Sequence, residues 1–263
     1  MMKQITLTLF LSLLCMGCFA QEIGIVAHRG SWNCPEGGYA RNSIAALRQS
    51  HAKAYQGSEF DINMCADSSL LVFHDSKFED ELIERLMPES LTSHRLENGE
   101  TIPTIDQFLE AAKECPDTKL VFELKSHSCP EVETEAVIRS IEALRRHGLF
   151  VPERVEFISF SFHICKEFAR TAPEFHVSYL GFFKSLKALR AAGVDGIDSH
   201  HLLVNKARVR KAHKLGMRVN CWTVNKESTV KQMIKAGVDL ITTDEPEMVR
   251  KCLKEADIKE NLR

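Results

Sequence analysis

Ala236-Gly237-Val238-Asp239-Leu240-Ile241-Thr242-Thr243-Asp244 carries the chain from the end of a helical pattern into a short apolar strand. A near copy, Ala192-Gly193-Val194-Asp195-Gly196-Ile197, makes the same transition one unit earlier. In both, the glycine suits the left-handed position after a helix, where a Cβ would clash. Gly57-Ser58-Glu59-Phe60 is a looser third copy. A helix that stops on glycine and passes directly into a buried strand is the joint of a β/α repeat.

Outward from these joints, strand-like and helix-like runs alternate along the chain. Residues 23–27, 58–62, 120–124, 155–160, 176–180, 196–198, 218–224 and 240–244 read as strands. Helical spacing is clearest over residues 42–55, 105–113, 132–147 and 245–256. Strands separated by helical patterns predict a parallel sheet. Eight such units at this length predict an α/β fold of the TIM (β/α)8 barrel type. A doubly wound open sheet is the alternative, but it usually carries fewer strands. The interval between Ile62 and Leu120 is too long for one crossover. Leu70-Leu71-Val72-Phe73 lies within it, after the turn Asp67-Ser68-Ser69. This predicts a short β-hairpin insertion after strand 2, with His74-Asp75 at its far end. Residues 76–103 read as too few and too polar to hold a core, so residues 21–263 are expected to form a single domain.

Residues 1–20 stand apart. Lys3, the apolar run Ile5–Leu14 and the ending Cys18-Phe19-Ala20 have the form of a signal peptide. Export to the periplasm or beyond is the expectation. Met16-Gly17-Cys18 also resembles a lipid-attachment box, which makes a lipid anchor at Cys18 the alternative; Cys15 stands where such a box takes leucine. Neither that run nor any other stretch is long and apolar enough for a transmembrane segment. The chain is 44% hydrophobic and 27% charged, with a net charge of −2. That balance suits an ordinary globular domain and gives no basic surface for nucleic acid. Beyond the leader, the cysteines show no C-x-x-C pair, so no structural zinc site is expected. Most read as small buried hydrophobes.

A barrel of this type gathers its chemistry at the C-terminal ends of the strands. His28-Arg29-Gly30 ends the first strand. Glu59 and Asp61, at i and i+2, point to one side of the second. Glu123 and Lys125 do the same at the third, and the hairpin delivers His74-Asp75. Trp222 lies on the seventh strand, and Asp244-Glu245-Pro246 ends the eighth. Three carboxylates aimed into one cavity repel one another unless a cation joins them. An all-oxygen donor set suits Ca²⁺ or Mg²⁺ rather than zinc or copper. Two histidines beside such an ion can exchange protons near neutral pH. An arginine fork matches a phosphate. Each element is individually weak: Glu-x-Asp is common on solvated strands, and a histidine at a strand end is usually a surface residue. Glu123 in an otherwise apolar strand is the stronger signal, because a buried carboxylate needs a partner. The adjacent His200 and His201 would point apart on a strand and read as loop residues.

Taken in order, these pieces resemble the glycerophosphodiester phosphodiesterases. The matching segments are 27–30 (Ala-His-Arg-Gly), 42–46 (Asn-Ser-Ile-Ala-Ala), 57–62 (Gly-Ser-Glu-Phe-Asp-Ile), 71–75 (Leu-Val-Phe-His-Asp), 101–105 (Thr-Ile-Pro-Thr-Ile), 122–125 (Phe-Glu-Leu-Lys), 159–160, 179–180, 221–225 (Cys-Trp-Thr-Val-Asn) and 241–246 (Ile-Thr-Thr-Asp-Glu-Pro). The resemblance implies His28 and His74 as an acid–base pair, with His28 as base and His74 as acid. It implies Glu59, Asp61 and Glu123 as ligands of one divalent cation, Ca²⁺ or Mg²⁺. It implies Arg29 and Lys125 at the phosphate and Trp222 as a wall against the glycerol. The implied reaction splits a small glycerophosphodiester into glycerol 3-phosphate and an alcohol. One departure stands out: the family usually has Pro-Glu-Asn-Thr where this chain has Ala40-Arg41-Asn42-Ser43. Glu36 could return the missing carboxylate, or Arg41 could meet a second negative charge on the substrate. Two alternatives follow: a related barrel phosphodiesterase for lysophospholipids or phosphoinositides, with Phe182-Phe183 as its apolar ramp, or a non-catalytic phosphate-binding protein.

Overall fold

The structure is a computed structural model that describes residues 23–261. The expected leader and Cys18 lie outside them. In chain order the elements begin with β1 (Gly24–Ala27), α1 (Ile44–Ala52) and β2 (Gly57–Met64). The insertion follows, with β3 (Leu70–Val72), β4 (Lys77–Phe78), β5 (Glu81–Leu82) and α2 (Glu89–Thr92). Next come α3 (Ile105–Ala112), β6 (Lys119–Leu124), α4 (Pro130–Arg146), β7 (Val155–Ser159), α5 (Phe162–Thr171) and β8 (His176–Tyr179). The chain ends through α6 (Leu186–Ala191), β9 (Gly196–His200), α7 (Lys206–His213), β10 (Arg218–Trp222), α8 (Glu227–Ala236), β11 (Leu240–Thr243) and α9 (Pro246–Asn261).

The barrel strands are parallel and pair in the order β1-β2-β6-β7-β8-β9-β10-β11, and β11 pairs again with β1. Eight strands thus close into the expected TIM barrel. β3 folds back antiparallel on the end of β2, Ile62 opposite Val72, which is the predicted hairpin. Gly193 and Gly237 take φ of 81° and 79°, the left-handed helix ends read from the repeat.

Alternation along the strands divides the core in two. Outward residues such as Phe60, Phe122, Phe157 and Ile197 pack beneath the helices. There Phe60 meets Phe108 of α3 at 4.5 Å, and Phe157 stacks on Phe168 of α5 at 3.9 Å. Inward residues Val26, Val121, Ile158, Leu180 and Leu240 form a smaller cluster inside the barrel. Below it, at the N-terminal end, lies a buried charged floor. Glu156 pairs with Arg218 and, at 3.0 Å, with Lys119. Burial alone would raise the Glu156 carboxyl, but Arg218, His176 and Lys119 outweigh it and hold it below its ordinary range. Burial, helped by Arg218, pushes the His176 imidazole down to about 4.

The insertion departs from its reading in one respect. Ile83, Leu91 and Ile102 are buried together with Cys65 and Leu71, and Phe73, Phe78, Leu86 and Leu96 pack around them. Residues 76–103 are polar on average but place their few large apolar side chains on one side, against the hairpin, and so build a small satellite core. All seven cysteines of the described residues are free, Cys34 and Cys129 included. Among the described residues, no helix is long and apolar enough to cross a membrane.

Candidate active site

After β1 the chain makes a tight turn in which Arg29 and Gly30 both have positive φ, 57° and 79°. A Cβ on Gly30 would lie 2.6 Å from the Ala46 side chain of α1. Only glycine lets the turn press this closely on the helix. The turn aims the Arg29 backbone N–H at Glu59 Oε2, 2.8 Å away. It also sends the His28 ring toward the end of β11, where His28 Nδ1 lies 2.8 Å from Asp244 Oδ1. Asp244 further accepts from Trp32 Nε1 at 3.1 Å and Asn225 Nδ2 at 2.6 Å. Burial alone would raise Asp244, but these donors, His28 first, bring it down to about 2. An ionised Asp244 fixes the proton on His28 Nδ1 and leaves Nε2 able to accept one.

Glu59 and Asp61 project from one face of β2, and Glu123 stands level with Asp61 on the paired strand β6. One ligand oxygen from each lies within 4.8 Å of the others. Lys125 Nζ bridges two of them, 2.6 Å from Asp61 Oδ1 and 2.5 Å from Glu123 Oε1. Arg29 Nε stands 3.5 Å from Asp61 Oδ2. Asn42, held at φ 58° just before α1, donates Nδ2 to Asp61 Oδ2 at 2.9 Å and accepts the Asp61 N–H. Lys125, His74 and Arg29 keep Asp61 below the usual carboxylate range despite its burial. Glu59 is different. Burial, Asp61 and Glu123 push it well above that range. Burial, then Asp61, raises Glu123 to about 7 although Lys125 opposes the shift. Glu59 Oε1 is buried without a hydrogen-bond partner. Two cations do not neutralise three carboxylates, and one carboxylate oxygen is left without a partner. Such an all-oxygen set fits a hard divalent cation.

His74 follows β3, its Nδ1 2.6 Å from Asp75 Oδ1. Asn63 of β2 donates to the carbonyls of Phe73 and Asp75 at 2.7 and 3.0 Å, pinning the segment that carries the ring. Burial and the nearby Lys125 lower the His74 pKa.

A cavity of about 250 Å³ joins these parts. His28, Arg29, Glu59, His74, Glu123 and Lys125 line one side, and Ile158, Phe160, Leu180 and Trp222 face them. Asp61 stands behind the lining and is 1% exposed. All eight site residues read from sequence thus converge. A larger cavity at the N-terminal end of the barrel, lined by Ile23, Tyr55 and Arg250 among others, holds none of them.

Sequence pattern assigns no role to several other participants. Asn42 and Asn63 position ligand and histidine, and Asp244 with Trp32 and Asn225 positions His28. Asp198, inward on β9, lines the cavity. Burial raises it to about 8, and Asn220 Nδ2 donates to its Oδ2 at 2.9 Å. Its backbone carbonyl accepts the Trp222 indole N–H at 3.0 Å, which sets the angle of that ring. Arg41 is exposed and stacks on Trp32, its guanidinium carbon 3.9 Å from the ring centroid, and Glu36 is exposed too. Neither lines the cavity. A carboxylate does return nearby, from Glu100 of the insertion, which accepts from the Ile44 and Ala45 N–H groups and caps α1. His200 and His201 do not point apart: the strand ends at His200, and the two rings stack at 4.4 Å.

The model of the Glycerophosphoryl diester phosphodiesterase family matches residues 28–248. A glycerophosphodiester phosphodiesterase of Caldanaerobacter subterraneus is 26% identical over 241 residues, covering 85% of this chain and 94% of its own. A solved glycerophosphodiester phosphodiesterase of Parabacteroides distasonis shares 37% identity and a TM-score of 0.85, covering 90% of this chain and 99% of its own. A phosphodiesterase of Oleispira antarctica, solved with the product sn-glycerol-3-phosphate, shares the fold at TM-score 0.75 and 23% identity, with 88% and 96% coverage. With the barrel closed and a family match running from His28 past the last strand, the chain belongs to the glycerophosphoryl diester phosphodiesterase family and is a phosphodiesterase.

Proposed function

We propose that the enzyme hydrolyses small glycerophosphodiesters to glycerol 3-phosphate and an alcohol, with one Ca²⁺ or Mg²⁺ held by Glu59, Asp61 and Glu123. The observation that carries this reading is the trio of buried carboxylates with one unpaired oxygen, at a cavity that two imidazoles also line. When bound, the cation would neutralise the trio and polarise the phosphoryl oxygens. Arg29 and Lys125 present positive charge to the same phosphate. The Asp244 carboxylate suits His28 to the role of base, because it stabilises the imidazolium that forms when Nε2 takes a proton. His74 suits the acid. Burial, with Lys125 and Arg29, depresses its proton affinity, and an arriving phosphate supplies negative charge that raises it again. Trp222, with Ile158 and Leu180, offers an apolar wall for the carbon skeleton of the glycerol.

A panel of glycerophosphocholine, glycerophosphoethanolamine, glycerophosphoinositol and lysophosphatidylcholine, each with and without divalent cation, tests the reading. Glycerol 3-phosphate should appear from the small diesters only with the cation present. Full activity after exhaustive chelation would remove the metal from the proposal, and binding without turnover would favour a phosphate-binding role. Export is part of the same proposal and rests on residues 1–20. N-terminal sequencing and mass analysis of the mature protein distinguish cleavage after Ala20 from a lipid on Cys18.

A further inference from the structure

We propose that the sector of the active face formed by the ends of β7 to β10 docks on phospholipid surfaces that carry anionic head groups. Among the described residues, five of the nine exposed large hydrophobics gather there: Phe160, Phe182, Phe183, Leu202 and Leu203. Phe160 directly follows β7, the Phe182-Phe183 pair follows β8, and Leu202-Leu203 follows β9. These strands are neighbours in the barrel, so their loops stand side by side at its mouth. Phe183 is 83% exposed and Leu202 79%, values at which neither side chain supports the core. The two phenyl rings of the pair lie 4.1 Å apart and present a single apolar edge. Phe160 packs edge-on against Trp222 at 5.5 Å, which makes this surface continuous with the catalytic cavity.

Charge selects the occupant. Lys184 and Lys166 reach over the Phe162 ring, their Nζ atoms 5.1 and 5.5 Å from its centroid. The stretch Gly181–Lys187, which leads from β8 into the first turn of α6, carries Lys184 and Lys187 and no acid. Exposed aromatics interleaved with lysines match the head-group layer of an anionic membrane, where rings enter the interface and ammonium groups meet phosphates. A protein partner or a second copy of the chain would satisfy the apolar surface but would give the lysines no systematic role. Docked in this way, the cavity mouth faces the lipid surface.

Sedimentation of the full mature protein with vesicles of phosphatidylglycerol and phosphatidylcholine tests the surface. The wild type should bind, less so with phosphatidylcholine alone and less at high salt. The Phe182→Ser, Phe183→Ser double variant should lose about tenfold or more in partitioning. Lys184→Glu with Lys187→Glu should lose the preference for phosphatidylglycerol. Turnover of soluble glycerophosphocholine should be unchanged in both variants. A wild type that stays in the supernatant, or a phenylalanine variant that sediments equally well, would overturn the proposal. So would gel filtration showing a dimer that dissociates in this variant while vesicles remain unbound. Loss of all hydrolysis in every form would instead count against the proposed reaction and leave the docking result to stand alone.

Discussion

The barrel buries two groups of charges, one at each end, and they are organised in opposite ways. At the floor a single acid, Glu156, sits between Arg218 and Lys119, and its carboxyl is held below the ordinary range. At the mouth three acids meet Lys125 and Arg29, and two of them, Glu59 and Glu123, are pushed up. Buried charge is tolerated when it is paired. The floor meets that condition from within the chain and reads as structure. The mouth does not, and its unpaired Glu59 oxygen marks the place where something else must supply charge. The difference separates a structural ion cluster from a reactive one more sharply than burial does, since both are buried.

The largest effects should come from breaking the mouth. His74→Ala should lower kcat/KM by about 10²–10⁴-fold, the usual range for losing a general acid. Thermal unfolding should barely move, because the His74 side chain is 41% exposed. Equal activity in steady-state assays would remove His74 from the chemistry. Asp244→Asn comes next. It removes the anionic partner of His28 and lets the ring adopt the wrong tautomer, so kcat/KM should fall about 10²-fold while cation binding stays intact. Cation affinity that falls together with the rate would point to a collapsed site instead.

The floor should fail differently. Glu156→Gln leaves Arg218 and Lys119 facing each other without an anion, and should cost about 3 kcal/mol in denaturant unfolding. Turnover at saturating substrate should change by less than about threefold, well within 1 kcal/mol of barrier. A large loss of rate with unchanged stability would reverse the roles assigned to the two ends.

The smallest expected effect is pH dependence at the floor. The folded His176 pKa, about 4, lies below its unfolded value. Its contribution to stability is therefore complete above about pH 6.5 and is lost as pH falls toward 4. Glu156 acts further down: its depressed folded pKa gives stability that is present above about pH 4.5 and lost below it. Together they predict stability falling by about 2 kcal/mol between pH 7 and 4.5, mostly through His176. In His176→Asn, chemical unfolding should be flatter across this window. An unchanged slope would assign the acid sensitivity to other groups.

How much of this is legible in the sequence follows from the range of each signal. Strand alternation is local, so Glu59 and Asp61 at i and i+2, and Glu123 and Lys125 likewise, declare their common face by spacing alone. Sequential pairing brings β1, β2 and β6 together, and closure, which eight βα units predict, sets β11 beside β1. The helpers are long-range: Asp244 reaches His28 across 216 positions, and Asn42 reaches Asp61 only because it adopts a left-handed backbone. Asp244 is visible as a strand-end acid, but nothing local says which side chain it holds. Asp198 hides in a strand of three recognisable residues, although an acid at an inward barrel position is a usable signal. The satellite core of the insertion escapes the sequence pattern because average polarity conceals a few apolar residues that share one side.

Calorimetric titration of Ca²⁺ or Mg²⁺ into chelator-stripped protein at pH 8, run on wild type, Glu59→Gln and Glu156→Gln, tests the contrast most directly. That pH lies above the Glu123 value of about 7, and one ion per chain should bind to wild type and Glu156→Gln and raise their unfolding temperatures. Glu59→Gln should lose at least tenfold in affinity. Binding that survives Glu59→Gln unchanged, or a wild type that takes up neither ion, would contradict a cation site in the mouth of the barrel.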